Sequence, residues 1–259
     1  MSLQQSSYFF DRIIDMKIPA YVINLKNSHL RREYMEKLLS AYPFIDVNFI
    51  EAVDGRIMSK DSLSEVFDFD SCIKRNGRII NPGEVGCVLS HRKCYHEMIQ
   101  SNKDYALILE DDITVVGDMN TAINQNTINF MHSSEPRILF LSGDYWYWRK
   151  KSITDVFFAV GGYAYFINRA AAEIVLGINK PYNVADDWDL YKSMGVKLYA
   201  VYPYVIDANI SGFVSDVKQE HWGILRKEMS LGNVIRSYIV GIVKRFLFHF
   251  GHFESKIRV

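Results

Sequence analysis

The clearest hydrophobic signal in this chain is Tyr105-Ala106-Leu107-Ile108-Leu109, an uninterrupted apolar run that stops at three carboxylates. A run of that length with no polar position suits a central strand of a parallel sheet, buried on both faces. Other short apolar runs read as strands: Tyr21–Leu25, Val47–Ala52, Arg137–Leu141, Lys197–Tyr202, and a region Phe157–Ile167 broken by Gly161-Gly162. Between them the period lengthens to that of a helix. Leu30, Tyr34, Met35 and Leu38 follow a cap at Asn27 or Ser28. Val85, Val88, Leu89, Tyr95 and Ile99 follow Pro82, which suits a first helical turn. Asn168 caps a helix that runs through Leu176 and closes at Gly177.

Residues 56–81 carry mixed charge and end in Asn-Gly and Asn-Pro turn signals, so they read as an irregular excursion. Strands alternating with helices predict an α/β fold with a mostly parallel sheet, whose ligands bind beyond the carboxyl ends of the strands. The expected division is a domain over residues 1–225 and a helical segment over 226–259.

Composition changes this picture little, and charge changes it more. The chain has 259 residues, is 49% hydrophobic and has zero formal net charge, which gives no reason to expect nucleic acid. The charge is unevenly spread. Residues 226–259 hold seven Lys/Arg against Glu228 and Glu254, a balance of +5, so residues 1–225 carry −5. In that tail Ile235, Tyr238, Ile239, Ile242, Val243, Phe246, Leu247 and Phe250 recur at helical spacing, with Arg236, Lys244 and Arg245 off the stripe. It reads as an amphipathic helix lying on an anionic leaflet, or packed on the domain or on a second subunit as a homodimer. Cys72, Cys87 and Cys94 match no zinc spacing, and an odd number fits no disulfide framework; reduced core thiols are expected. The opening MSLQQSSYFF lacks a basic-then-apolar leader pattern.

Candidate chemistry starts at Glu110-Asp111-Asp112. In extended chain Glu110 and Asp112 project to one side. Carboxylates crowded there repel one another and resist desolvation, and a bound Mn²⁺ or Mg²⁺ relieves both penalties. A bare acidic triplet favours a solvated turn; its placement at the end of a central strand leaves a metal site and a solvated turn equally open. Gly83 to His91 forms a helix start whose N–H groups suit an anion or a sugar hydroxyl. Asn24 with Arg31 and Arg32 suits a diphosphate, or a solvated basic face. Asp186-Asp187-Trp188-Asp189 could supply a general base, or merely an acid-rich helix start. His221 is a further candidate metal ligand.

Together these segments resemble glycosyltransferase family 25, the bacterial lipooligosaccharide glycosyltransferases. The matching stretches are Tyr21–Leu25 with Arg31-Arg32, Ala52-Val53-Asp54-Gly55, Gly83–His91, Ala106–Asp112 and Gly162–Asn168. Their order fits from about residue 18 to about residue 210. The resemblance implies the A-type, nucleotide-diphosphosugar transferase architecture. It implies inverting transfer from a UDP-sugar, often UDP-galactose, to a sugar acceptor. Glu110 and Asp112, with His221, would hold the cation. Asn24, Leu25, Arg31, Arg32, Asp54, Gly55, Glu84, Ser90, His91 and Asp111 would bind the donor. Asp187, then Asp189, is expected as the base.

The function expected is therefore a Mn²⁺- or Mg²⁺-dependent galactosyl transfer to a lipid-linked oligosaccharide. The expected place is cytoplasmic, on the inner face of the bacterial membrane. A sugar-binding scaffold with an inactive transferase fold is the alternative. Glu110-x-Asp112-x-Thr114 also copies a phosphatase pattern, but with Glu where a nucleophilic Asp is required.

Overall fold

The computed structural model describes residues 17–208 and 226–255. Its main feature is a nine-stranded sheet in the order β11-β6-β7-β9-β5-β8-β3-β1-β2. The strands are β1 (Ile18–Asn24), β2 (Ile45–Glu51), β3 (Tyr105–Glu110), β5 (Arg137–Phe140), β6 (Tyr145–Tyr147), β7 (Ile153–Ala159), β8 (Ala164–Asn168), β9 (Lys197–Val201) and β11 (Phe253–Glu254). A separate two-stranded sheet pairs β4 (Ile113–Val115) with β10 (Ile206–Ala208). The helices are α1 (His29–Leu39), α2 (Lys60–Val66), α3 (Phe69–Asn76), α4 (Pro82–Gln100), α5 (Met119–Ala122), α6 (Gln125–Met131), α7 (Arg169–Leu176), α8 (Trp188–Ser193) and α9 (Leu231–His249).

The run Tyr105–Leu109 does form a central strand, buried throughout. It pairs in parallel with β1, and β1 in parallel with β2. On its other side β8 runs antiparallel, as it does to β5. The ladder carries on with β5 parallel to β9, then antiparallel pairings of β9 with β7, β7 with β6 and β6 with β11. Six strands therefore share one direction, while β7, β8 and β11 oppose it. The sheet is mostly parallel by direction, with β8 reversed at its centre. β7 and β8 share that opposed direction, so the short Gly161-Gly162 connection leads from one to the other without turning the chain back. Gly161 sits at φ +78, in the left-handed region that glycine reaches without strain.

The main core lies on the two faces of this sheet. One cluster joins Tyr95, Ile108, Phe140, Tyr165 and Trp188; the other joins Met35, Leu107, Leu139 and Phe166. The excursion expected at residues 56–81 is more ordered than its composition suggests. Ser59 and Asp68 cap α2 and α3 through their side chains, and Gly77 ends α3 at φ 64. Leu63, Phe67, Cys72, Ile80 and Val85 bury together as a third cluster. Helices this short carry too few turns for a period to stand out.

The carboxyl-terminal segment is not detached. β11 adds to the sheet edge beside β6, and Ser230 N–H donates to the carbonyl of Lys74 in α3. The charged side of α9 faces the domain. Arg236 Nη1 lies 3.7 Å from Asp189, and Lys244 Nζ lies 4.7 Å from the Trp146 ring centroid. Of its apolar residues Leu247 is buried, while Leu231, Ile235, Tyr238, Ile239, Ile242 and Phe246 are exposed. Among the described residues no helix is long and apolar enough to cross a membrane.

Candidate active site

The site lies where β1, β2 and β3 end, against the amino-terminal half of α4. Two glycines let those parts meet. A Cβ on Gly55 would lie 1.8 Å from the Pro82 carbonyl oxygen, and one on Gly86 would lie 2.3 Å from that of Val53. No side chain fits at either place, so the loop after β2 rests directly on the start of α4. Ser90 stitches the contact: its Oγ donates to Gly86 O at 2.7 Å and accepts the Val53 N–H at 2.8 Å. Asn81 and Glu84 close α4 with a capping box.

The resulting cleft is lined by Ile23, Leu25, Arg31, Ala52 to Arg56, Gly83, Cys87, Ser90, His91 and Glu110-Asp111-Asp112. Most residues expected to bind a donor therefore gather around it. The three carboxylates differ in their surroundings. Asp111 turns inward, accepting from Asn24 Nδ2 and Arg31 Nη1, both at 2.7 Å. Asn24 also donates to Ser28 O at 3.2 Å, so this group ties β3 to the start of α1. Asp112 Oδ2 lies 3.3 Å from the same Arg31 nitrogen. Burial and then the charge of Glu110 push the Asp112 carboxyl up to about 6. Burial also raises Asp111, despite Arg31 and Asn24. Glu110 Oε1 lies 3.5 Å from His91 Nε2.

His91 is 2% exposed, and its Nδ1 bonds Tyr165 Oη at 2.8 Å. Tyr165 in turn bonds the hydroxyl of Tyr95. Burial holds both phenols far above their usual range. The pair locks the imidazole plane, while Nε2 has no hydrogen-bond partner.

Several expected site residues sit elsewhere. Arg32 bonds Glu36 on an exposed helix face and stacks over Phe49, 4.1 Å from its centroid. Glu84 is taken by the cap and by Arg78. Asp54 lines the cleft but caps a turn at Arg56, whose hydrogen bonds hold its carboxyl below the usual range. Asp187, the expected base, is engaged by other groups. Both its oxygens bind Arg75, one to Nη2 at 2.8 Å and the other to Nε, and it also caps α8. Asp189 faces Arg236. His221 lies outside the described residues.

Asp186, the remaining member of that cluster, lies near His91 at the edge of Gly162. Its Oδ2 accepts the Gly161 N–H at 3.0 Å, and Trp188 Nε1 donates to Gly161 O at 2.8 Å. A Cβ on Gly162 would lie 3.7 Å from Asp186 Cβ and 3.9 Å from His91 Cε1, so the three meet around one point. Burial, and to a smaller degree Glu110, raises the Asp186 carboxyl. Asp186 and its neighbours are adjacent in sequence and equally acidic. Only the hydrogen bonds of Gly161 and Arg75 tell them apart.

A family model described as glycosyltransferase family 25 (LPS biosynthesis protein) matches residues 17–189. The chain belongs to glycosyltransferase family 25. It is 36% identical over 96 residues to a glycosyltransferase 25 family member of Aedes aegypti. It is 32% identical over 101 residues to procollagen galactosyltransferase 1-B of Xenopus laevis. Each match spans 36% of this chain and 16% of the relative. A solved UDP-glucose pyrophosphorylase in complex with UDP-glucose shares 9% identity at TM-score 0.36 over 77% of both chains, too distant for any functional argument.

Proposed function

We propose that this chain transfers galactose from a UDP-sugar to a glycan acceptor, with inversion, aided by a divalent cation. The observation that carries the reading is the pairing of Glu110 with Asp112 at the end of β3. Burial, and then the charge of Glu110, raises Asp112 toward 6, and two carboxylates so placed in a cleft of family 25 residues suit a shared cation. The donor set is oxygen-only, as Mn²⁺ or Mg²⁺ prefers, and two carboxylates leave positions for substrate phosphates. Such a cation would neutralise the charge that grows on the departing nucleoside diphosphate.

The chain's own groups supply the rest. Asp111 takes no part in binding substrate; with Asn24 it fixes Arg31 beside the diphosphate position. Asp186, its carboxyl raised by burial, takes the proton from the acceptor hydroxyl as the bond to the anomeric carbon forms. The Gly161 N–H holds it in place.

Galactose is supported by the names of the relatives, and the nucleotide by the family. The acceptor reading rests on α9. Its outward apolar face, flanked by Arg245, suits the surface of an anionic leaflet carrying a lipid-linked oligosaccharide. That would place the protein peripherally on the cytoplasmic side of a membrane. The relatives' names favour a protein acceptor instead. Incubating the purified chain with UDP-galactose, Mn²⁺ and either a lipid-linked oligosaccharide or a collagen peptide decides between them. Failure to release UDP with either would sink the proposal.

A further inference from the structure

Cys87, His91 and Glu110 bring one ligand atom each to within 4.8 Å of one another. Cys87 and His91 are one turn apart on α4, so they share a face of the helix. Glu110 comes to them from the end of β3. The other cysteines, Cys72 and Cys94, are buried away from the cleft, in the clusters under α3 and α4.

The His91 ring shows that this group is made for a ligand. Its Nδ1 is committed to Tyr165, and its Nε2 is buried, unpartnered and 3.5 Å from a carboxylate oxygen. When Nδ1 carries the proton, Nε2 presents a lone pair to a negative group. A buried acceptor facing an anion is costly, and a cation between them removes the cost. Tetrahedral bonds of 2.0–2.3 Å place ligand atoms about 3.3–3.8 Å apart. The His91–Glu110 separation of 3.5 Å lies inside that range, and Cys87 offers its ligand atom within 4.8 Å of the other two.

We infer that Cys87, His91 and Glu110 form a binding site for Zn²⁺, distinct in chemistry from the oxygen-only pair Glu110–Asp112. Thiolate and imidazole donors select a borderline-soft ion over Mg²⁺ or Mn²⁺. On binding, the Cys87 S–H bond breaks, an S–Zn bond forms and the proton leaves to solvent. Three protein ligands leave a fourth position open to water or an anion. Because Glu110 belongs to both sets, Zn²⁺ displaces the hard cation. On the transferase reading, Zn²⁺ is therefore an inhibitor; the binding itself does not depend on that reading.

Co²⁺ titration tests this, since a cobalt–thiolate bond gives an intense near-ultraviolet charge-transfer band. The expected result is a band that saturates at one equivalent, vanishes on adding Zn²⁺, and is absent in Cys87→Ser. In parallel, one equivalent of Zn²⁺ protects Cys87 of the unmutated protein from alkylation, read by peptide mass, whether or not the variant folds. No band in the unmutated protein, an undiminished band in folded Cys87→Ser, or alkylation of Cys87 indifferent to Zn²⁺ overturns the inference. A protein that binds Co²⁺ in this way but shows no Mn²⁺-dependent UDP binding loses the transferase reading and keeps this one.

Discussion

Replacing Asp112 with Asn separates the cost of the acidic cluster from its use. In the metal-free protein the Asp112 carboxyl titrates at about 6 against an ordinary 3.8. The rise is led by burial, followed by the charge of Glu110, and it already includes the opposing help from Arg31. The folded state therefore holds a proton that the unfolded state has lost between those two pH values. Stability is full below the unfolded value, declines as pH rises through the window, and stays reduced above the folded value. A shift of roughly two units amounts to about 3 kcal/mol, an upper figure for a side chain in partial contact with water. Asn stands in for the protonated acid at every pH. Urea unfolding with chelator present should find Asp112→Asn more stable than the unmutated protein by up to about 3 kcal/mol at pH 8, and nearly equal to it at pH 4. Saturating Mn²⁺ should reverse the order at pH 8, since only the unmutated protein gains from binding. A variant that is less stable than its parent at pH 8 without metal would refute the argument that this cluster is held under electrostatic strain.

Other outcomes follow from single contacts. Asp186→Asn should lower kcat by about 10²–10⁴-fold with little change in UDP binding, and a kcat within threefold of the parent would remove it as base. Asp187→Ala should instead cost about 3–5 kcal/mol of stability, read by urea midpoint, because it strands the Arg75 charge at 10% side-chain exposure. Gly55→Ala should cost more than about 2 kcal/mol, since its Cβ meets backbone rather than a movable side chain; an unchanged unfolding midpoint would contradict the close approach. Ile239→Glu should abolish sedimentation with anionic vesicles while leaving the melting temperature within a few degrees. Equal sedimentation would point α9 toward a protein partner.

The parts of this fold that the sequence announced are those with one dominant local signal. The apolar run of β3 needed burial on both faces, and Pro82 and Asn168 could do little else than open helices. The strand direction of β8 was hidden, because Phe166 and Ile167 are equally apolar in either orientation. Its sense shows only in its antiparallel pairing with β3 and β5, strands distant from it in the chain. Helices α2 and α3 were hidden because their buried residues pack on each other and on Val85, not on the sheet. The site followed the same rule. Motif order brought Arg31, Ser90, His91 and Glu110 to one cleft, with Asn24 behind Asp111. Asp187 was preferred over Asp186 because neighbouring aspartates are alike until a long-range partner chooses among them. Arg75, 112 positions away from Asp187, makes that choice. Cys87 read as an ordinary core thiol because its ligand partners arrive from a helical turn and from a distant strand.

The most direct test of the account is calorimetric titration of UDP into the purified protein, with and without Mn²⁺, for the parent and for Glu110→Gln. The account predicts binding that needs Mn²⁺ in the parent and is lost in the variant. Binding that is equally tight without metal, or unchanged in Glu110→Gln, would contradict it.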